Sequence, residues 1–197
     1  MINNSTSPLL IFVSACLVNN IILVRTIGLC SFFGASNNLK SSIKAGWSII
    51  YVNLAATIIS WLFYNEILVP YRLEYLKLVS FILIIAFLVQ IHEFLLNKLL
   101  AKQASAVGSN ISLVSANCVI LAVLLLNTDY GFGFLNSIVY SSGIAFGYVL
   151  AIILFAGMKE RVKSAPVPKA LKGYPIEFIL AGLMSLAILG LRGLFGM

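Results

Sequence analysis

Two cysteines in this chain of 197 residues stand beside residues that weaken a helix, each inside an apolar run. Cys30 lies in TIGLCSFFG, flanked by Gly28 and Gly34 and shortly after Arg25. Cys118 lies in VSANCVIL, approached through Ser109, Asn110, Ser112, Ser115 and Asn117. A glycine costs about 1 kcal/mol relative to alanine inside a helix, and Ser and Asn side chains can satisfy backbone groups freed by a break at membrane depth. Thiols so placed could form a disulfide, although nothing in their spacing demands one. They could bind metal, or simply be small buried hydrophobes. An iron–sulfur site usually needs four thiolates, and the chain has three cysteines, Cys16 being in the smooth part of its run. One chain cannot build an all-cysteine cluster, whereas two chains could, each supplying a pair.

The elements that must position these thiols follow from composition. The chain is 61% hydrophobic and 10% charged, with mean hydropathy +1.05; a soluble domain carries about 25% charge. The bilayer is the expected solvent. Six runs reach or approach the roughly 20 apolar residues of a spanning helix: Leu9–Phe33, Ala45–Tyr64, Leu76–Leu96, Ile111–Leu126, Phe134–Met158 and Ile176–Phe195. The polar start, Met1 to Ser7, lacks the basic region of a cleaved signal peptide, so the first run is expected to be retained.

A pI near 9.5 raises nucleic acid as a partner, but Lys and Arg in a membrane protein collect in cytoplasmic loops. Here they do so after segments one (Lys40, Lys44), three (Lys98, Lys102) and five (Lys159, Arg161, Lys163, Lys169, Lys172). The other connections are near neutral, with Glu66, Arg72, Glu74 and Lys77 after segment two and Asp129 after segment four. The expectation is a multi-pass protein of a prokaryotic cell (inner) membrane, with both termini outside and no nucleic-acid partner. Trp61, Tyr64, Tyr71 and Tyr75 fall where an outer aromatic belt would sit.

Three spans per half force the halves into opposite orientations, which permits an inverted repeat. The expected fold is all-α, a single six-helix membrane domain made of two inverted three-helix repeats, 1–103 and 104–197. Each half has a second helix rich in small residues (Ala45, Gly46, Ala55, Ala56; Gly143, Ala145, Gly147), which ordinary close helix packing also uses. Leu9–Phe33 as one straight helix would be about 37 Å long and Ile111–Leu126 about 24 Å, against a hydrocarbon core of roughly 30 Å. Segments one and four are therefore expected to be broken. Broken helices at matching positions mark a functional centre in inverted-repeat membrane proteins.

At these residues the sequence resembles the A-type subunit of the Rnf complex, the ion-translocating ferredoxin:NAD oxidoreductase, and the related E-type subunit of the sodium-pumping NADH:quinone reductase. The resemblance runs nearly end to end: LVNNIILVRTIGLCSFFGAS, ILVPYRLEYLKLVSFILIIAFLVQIHE, SANCVILAVLLLN and LFAGMKERVKSAPVPKALKGYPIEFILAGLMSLAILG. Ser31 stands where the family has proline, Ser112, Ser115, Ala116 and Asn117 replace its usual approach to the second cysteine, and Ala122 replaces a common glycine. The resemblance implies a 2Fe-2S cluster within the membrane, with Cys30 and Cys118 as this chain's ligands and the other two from a homologous E-type subunit of opposite orientation. It further implies flavin-bearing and iron–sulfur subunits as partners, and coupling of ferredoxin:NAD electron transfer to Na+ or H+ translocation. This chain would be one component of a translocase, without a complete catalytic site of its own. The outward termini, and the short connection around Val69–Leu73, favour the A-type subunit of the Rnf branch.

Other polar residues carry paired readings. Arg25 could offset negative charge near Cys30 or snorkel to an interface. Glu93 matches a family glutamate and is open to an ion-entry role or to a solvated helix end beside His92. Glu177 opens segment six, where it complements the helix dipole. Asn19, Asn20 and Asn53 could coordinate a cation or tie helices together. No phosphate-binding glycine loop, zinc spacing or catalytic triad is present, and with His92 the single histidine a bis-histidine haem within the chain is excluded. The rival class is a non-redox inverted-repeat transporter, which composition and topology fit equally well.

Overall fold

The computed structural model describes residues 7–18, 20–35, 39–71, 73–99, 118–163, 166, 168, 171 and 173–194. Every regular element among them is helical. The first apolar run is not one helix. It forms α1 (Pro8–Val13), continued by a π-helical turn Ser14–Val18, then α2 (Ile21–Arg25) and α3 (Leu29–Ala35). The long helix α4 (Leu39–Phe63) runs into a second π-helical turn, Tyr64–Leu68. A 3-10 turn, Glu74–Leu76, leads into α5 (Lys77–Leu99). Three helices complete the order: α6 (Cys118–Asp129), α7 (Phe134–Lys163) and α8 (Tyr174–Leu194). The expected polar approach to Cys118, with Ser109, Asn110, Ser112, Ser115 and Asn117, lies outside the described residues, as do the 103/104 repeat boundary, Asn19, Arg72, Lys102, Lys169 and Lys172.

Among the described residues, two stretches are long and apolar enough to cross a membrane, Gly46–Leu68 and Phe134–Val162; Lys77–His92 and Tyr174–Gly190 are shorter apolar helices. Large apolar side chains point outward along these helices, including Trp47, Leu83, Phe87 and Leu186. An apolar exterior of this extent needs a non-aqueous or protein environment.

Helices α4 and α7 pack along each other. Gly46 receives the Val149 side chain. Asn53 Nδ2 donates to Ser141 O (3.0 Å) and to Ser141 Oγ (2.9 Å), and Thr57 Oγ1 lies 2.6 Å from Ser141 Oγ. These groups are buried, so their mutual hydrogen bonds offset the cost of removing them from water. On its other side α7 takes α1 at very short range. A methyl group added at Gly147 would fall 2.6 Å from the Cys16 carbonyl oxygen, and one at Gly143 2.9 Å from that of Phe12. The small residues thus act as close-packing surfaces.

Ile11, Ile22, Phe32, Val119, Tyr148 and Phe155 belong to a core gathered around α7. A second core joins α4, α5 and α6 through Val52, Ala56, Phe81, Ile85 and Leu124. Ion pairs tie the helix ends. Lys77 at the start of α5 meets Asp129 at the end of α6 at 2.9 Å. Lys159 near the end of α7 meets Glu177 near the start of α8 at 2.6 Å, both largely buried. Glu177 therefore has a specific cation as well as the helix dipole expected for it.

Candidate functional site: the broken helix and the two cysteine stretches

The break in the first run lies just before Cys30. Thr26 closes α2 in the left-handed region (φ 54°) and Gly28 follows at φ +96°. A β-branched residue in that region is an outlier, so surrounding contacts must hold it there. Gly28 is required twice over. Its φ suits glycine, and a Cβ at this position would overlap the Val119 side chain and approach the Tyr148 ring. Cys30 is the second residue of α3, two residues after Gly28, while Cys118 is the first residue of α6, immediately before Val119. The contact between Gly28 and Val119 therefore brings the two cysteine-bearing backbones together across the sequence. Gly34, expected to loosen the helix from the other side, lies inside α3. The break precedes the cysteine and does not bracket it.

Polar side chains satisfy the interrupted backbone. Asn20 caps α2, its Oδ1 accepting from Ile22 N at 3.2 Å. Its Nδ2 donates to Gly147 O (2.9 Å) and to Cys16 O (3.5 Å), so one buried amide joins α1, α2 and α7. Ser185 Oγ on α8 donates to Leu23 O at 2.5 Å, occupying a carbonyl that a five-residue helix leaves without an internal partner. The route of the chain explains the surplus length of the run. Phe12 and Cys16 follow α7 past Gly143 and Gly147; Gly28 then meets Tyr148, and Phe32 packs on Phe155. Residues 20–28 turn aside and return beside almost the same level of α7. Asn20 and Asn53 both tie helices together through their side-chain nitrogens.

The remaining candidates fall in different places. Arg25 ends α2 and its Nη2 donates to Tyr130 OH at 3.3 Å, in the turn after α6. Tyr130 packs edge-on against Tyr140. Closeness to Cys30 in sequence thus does not describe what the guanidinium touches. Glu93 belongs to α5. His92 is buried, with Nε2 3.2 Å from Ser48 Oγ and its ring 5.7 Å from that of Tyr51. Cys16 is half-buried on the π-helical turn that continues α1. Sequence reasoning passes over Thr26, Val119 and Ser185. Ser185 is a readable signal, being the one hydroxyl in LAGLMSLAILG.

The donor set can be tested against the implied cluster. Among the described residues no three His, Cys, Asp or Glu side chains gather as a metal site. What the fold does bring together is two cysteine-bearing backbones, and the Cys118 side chain is half-buried, not sealed in the core. Two cysteine-bearing backbones at one junction are compatible with half of a four-thiolate site.

Comparison with known proteins identifies a family. The family model described as "Rnf-Nqr subunit, membrane protein" matches residues 9–195. The A subunit of the proton-translocating ferredoxin:NAD(+) oxidoreductase complex of Clostridium ljungdahlii is 42% identical over 188 residues, covering 95% of this chain and 97% of that protein. The A subunit of the ion-translocating oxidoreductase complex of Syntrophotalea carbinolica is 40% identical over 186 residues, covering 94% and 96%. The corresponding protein of a Shewanella species (strain W3-18-1) is 42% identical over 189 residues, covering 96% and 98%. The chain belongs to the Rnf-Nqr family of membrane subunits.

Proposed function

We propose that this chain is the A subunit of an Rnf-type ion-translocating ferredoxin:NAD oxidoreductase, and that Cys30 and Cys118 are its two ligands to a 2Fe-2S cluster completed by a homologous subunit of the E type. Full-length similarity to proteins named as the A subunits of such complexes supports the role. The observation that carries the site is the contact between Gly28 and Val119, which joins the two cysteine stretches at one level of α7. Six membrane-spanning segments in two inverted repeats, with both termini outside, complete the reading. The two ion pairs suit it: Lys77–Asp129 ties two connections assigned to the outer side, and Lys159–Glu177 braces the α7–α8 connection assigned to the cytoplasm.

A cluster held at this junction would take up and release single electrons within the membrane. The residues of this chain hold the thiolates in place and keep the site dry. Thr26 and Gly28 turn the backbone so that α3 starts one residue before the cysteine. Val119 and Tyr148 pack against that turn and exclude water. Asn20 and Ser185 satisfy the freed backbone groups, so the break does not need water for its stability.

The test is the iron content and visible absorption of the anaerobically purified complex. Cys30→Ala and Cys118→Ala should each lower iron by about one cluster's worth, while Cys16→Ala should match wild type. Full iron and an unchanged spectrum in both ligand variants would refute the assignment.

A further inference from the structure

Helix α8 touches both short helices that flank the break before Cys30. Its Ser185 Oγ donates to Leu23 O of α2. Two turns earlier, the Phe178 ring lies against Phe33 of α3, with centroids 4.7 Å apart. Phe33 also meets Phe155 of α7 edge-on at 5.7 Å, and Phe32 meets the same Phe155 ring at 4.6 Å. The helix that carries Cys30 is therefore gripped through two neighbouring rings by α7 and by α8. Those rings stand two and three residues after the cysteine.

Burial explains only part of this grip. Phe32 and Phe155 are fully buried, so the core fixes them. Phe178 is 57% exposed, and lipid is as apolar as the side chains it would leave. Some other interaction must set where α8 begins. Glu177, the residue before Phe178, meets Lys159 at 2.6 Å. Lys159 stands four residues beyond Phe155, the spacing that puts two side chains on one face of a helix. The pair thus joins α7 to α8 about one turn from the rings that hold α3. Both charges are largely buried. Such a pair is a poor source of stability, because desolvation offsets the attraction; its best-attested use is to fix register. The other ion pair, Lys77–Asp129, is more exposed and joins α5 to α6.

We propose that the Lys159–Glu177 pair is a positioning device for the cysteine-bearing helix. It sets the register of α8 against α7, so that Phe155 and Phe178 together fix α3 at Phe32 and Phe33. The clamp rests on the packing of this chain alone. Its effect on a bound cluster rests on the reading of Cys30 as a ligand: a loosened α3 admits water to the junction, and solvent exposure is one of the quantities that set a cluster's potential.

The test is hydrogen exchange of the backbone amides of residues 32–35 in the whole purified complex, with a redox titration of the cluster on the same samples. Lys159→Ala should quicken that exchange about tenfold, since local opening governs it. Lys159→Glu combined with Glu177→Lys restores the pair and should return exchange to within about twofold of wild type. Lys159→Met combined with Glu177→Leu removes both charges and keeps apolar bulk. This variant should assemble at wild-type yield, yet exchange faster and show a raised reduction midpoint. It keeps the test decisive if Lys159→Ala does not assemble. Lys77→Ala, which breaks the exposed pair, should leave these amides unchanged. Wild-type exchange in the apolar double variant would overturn the proposal. A charge-swapped variant that exchanges as fast as the apolar one would do the same, and so would faster exchange with an unmoved midpoint. Failure of the ligand reading shows separately: Cys30→Ala would then keep its cluster, while the exchange differences among the ion-pair variants would stand.

Discussion

Gly28 bears more constraint than any other single residue in the cysteine region. Its backbone conformation suits glycine, and its missing side chain is the space that Val119 fills. Gly28→Ala should destabilise the assembled complex by about 1–3 kcal/mol, the usual cost of forcing atoms into packed space, and lower its cluster content. Gly34→Ala, inside α3, should cost far less. Thermal unfolding of the two variants, with iron analysis, checks the difference. The two glycines look alike in the sequence, since both flank Cys30 in an apolar run. What separates them is a contact with a residue 91 positions downstream, which no local pattern records. The break before Cys30 was legible because a reactive residue type and helix-weakening neighbours coincide; the role of Thr26 in it was not, because threonine normally avoids the left-handed region.

At the scale of elements, the surplus length of the first run correctly announced a break. Its form was hidden. Hydrophobicity reports that residues avoid water, and does not say whether they meet lipid or protein, so α1 to α3 read as one continuous stretch. The polar residues that resolve the break are single side chains with distant partners: Asn20 bonds to Gly147, and Ser185 to Leu23. The small residues of α7 were legible as a packing surface, although their partner was not. Gly147 lies against the backbone of the π-helical turn that continues α1, and Gly143 does the same one turn earlier. Gly147→Leu should push α1 away from α7 and break the Asn20 bridge, giving a large loss of assembled complex, while Gly157→Leu, at a glycine with open space around it, should be tolerated. The yield of intact complex after detergent extraction distinguishes them.

For the molecule as a whole, α4 and α7 form the centre, packed along each other. The small residues in both helices foreshadowed close packing without naming the pairing. The proposed orientation rests on charge distribution: reporters fused to either terminus should be active only outside the cytoplasm, and a cytoplasmic C-terminus would reverse the orientation and with it the place of this chain in the complex. The central claim is that this chain supplies two thiolates, and only two, to a cluster shared with a neighbour. It is tested most directly by electron paramagnetic resonance of the reduced, anaerobically purified complex. The 2Fe-2S signal should disappear or change its g-values in Cys30→Ser and in Cys118→Ser, where oxygen replaces sulfur, and stay the same in Cys16→Ser. An unchanged signal in either ligand variant, or its loss in Cys16→Ser alone, would contradict the claim.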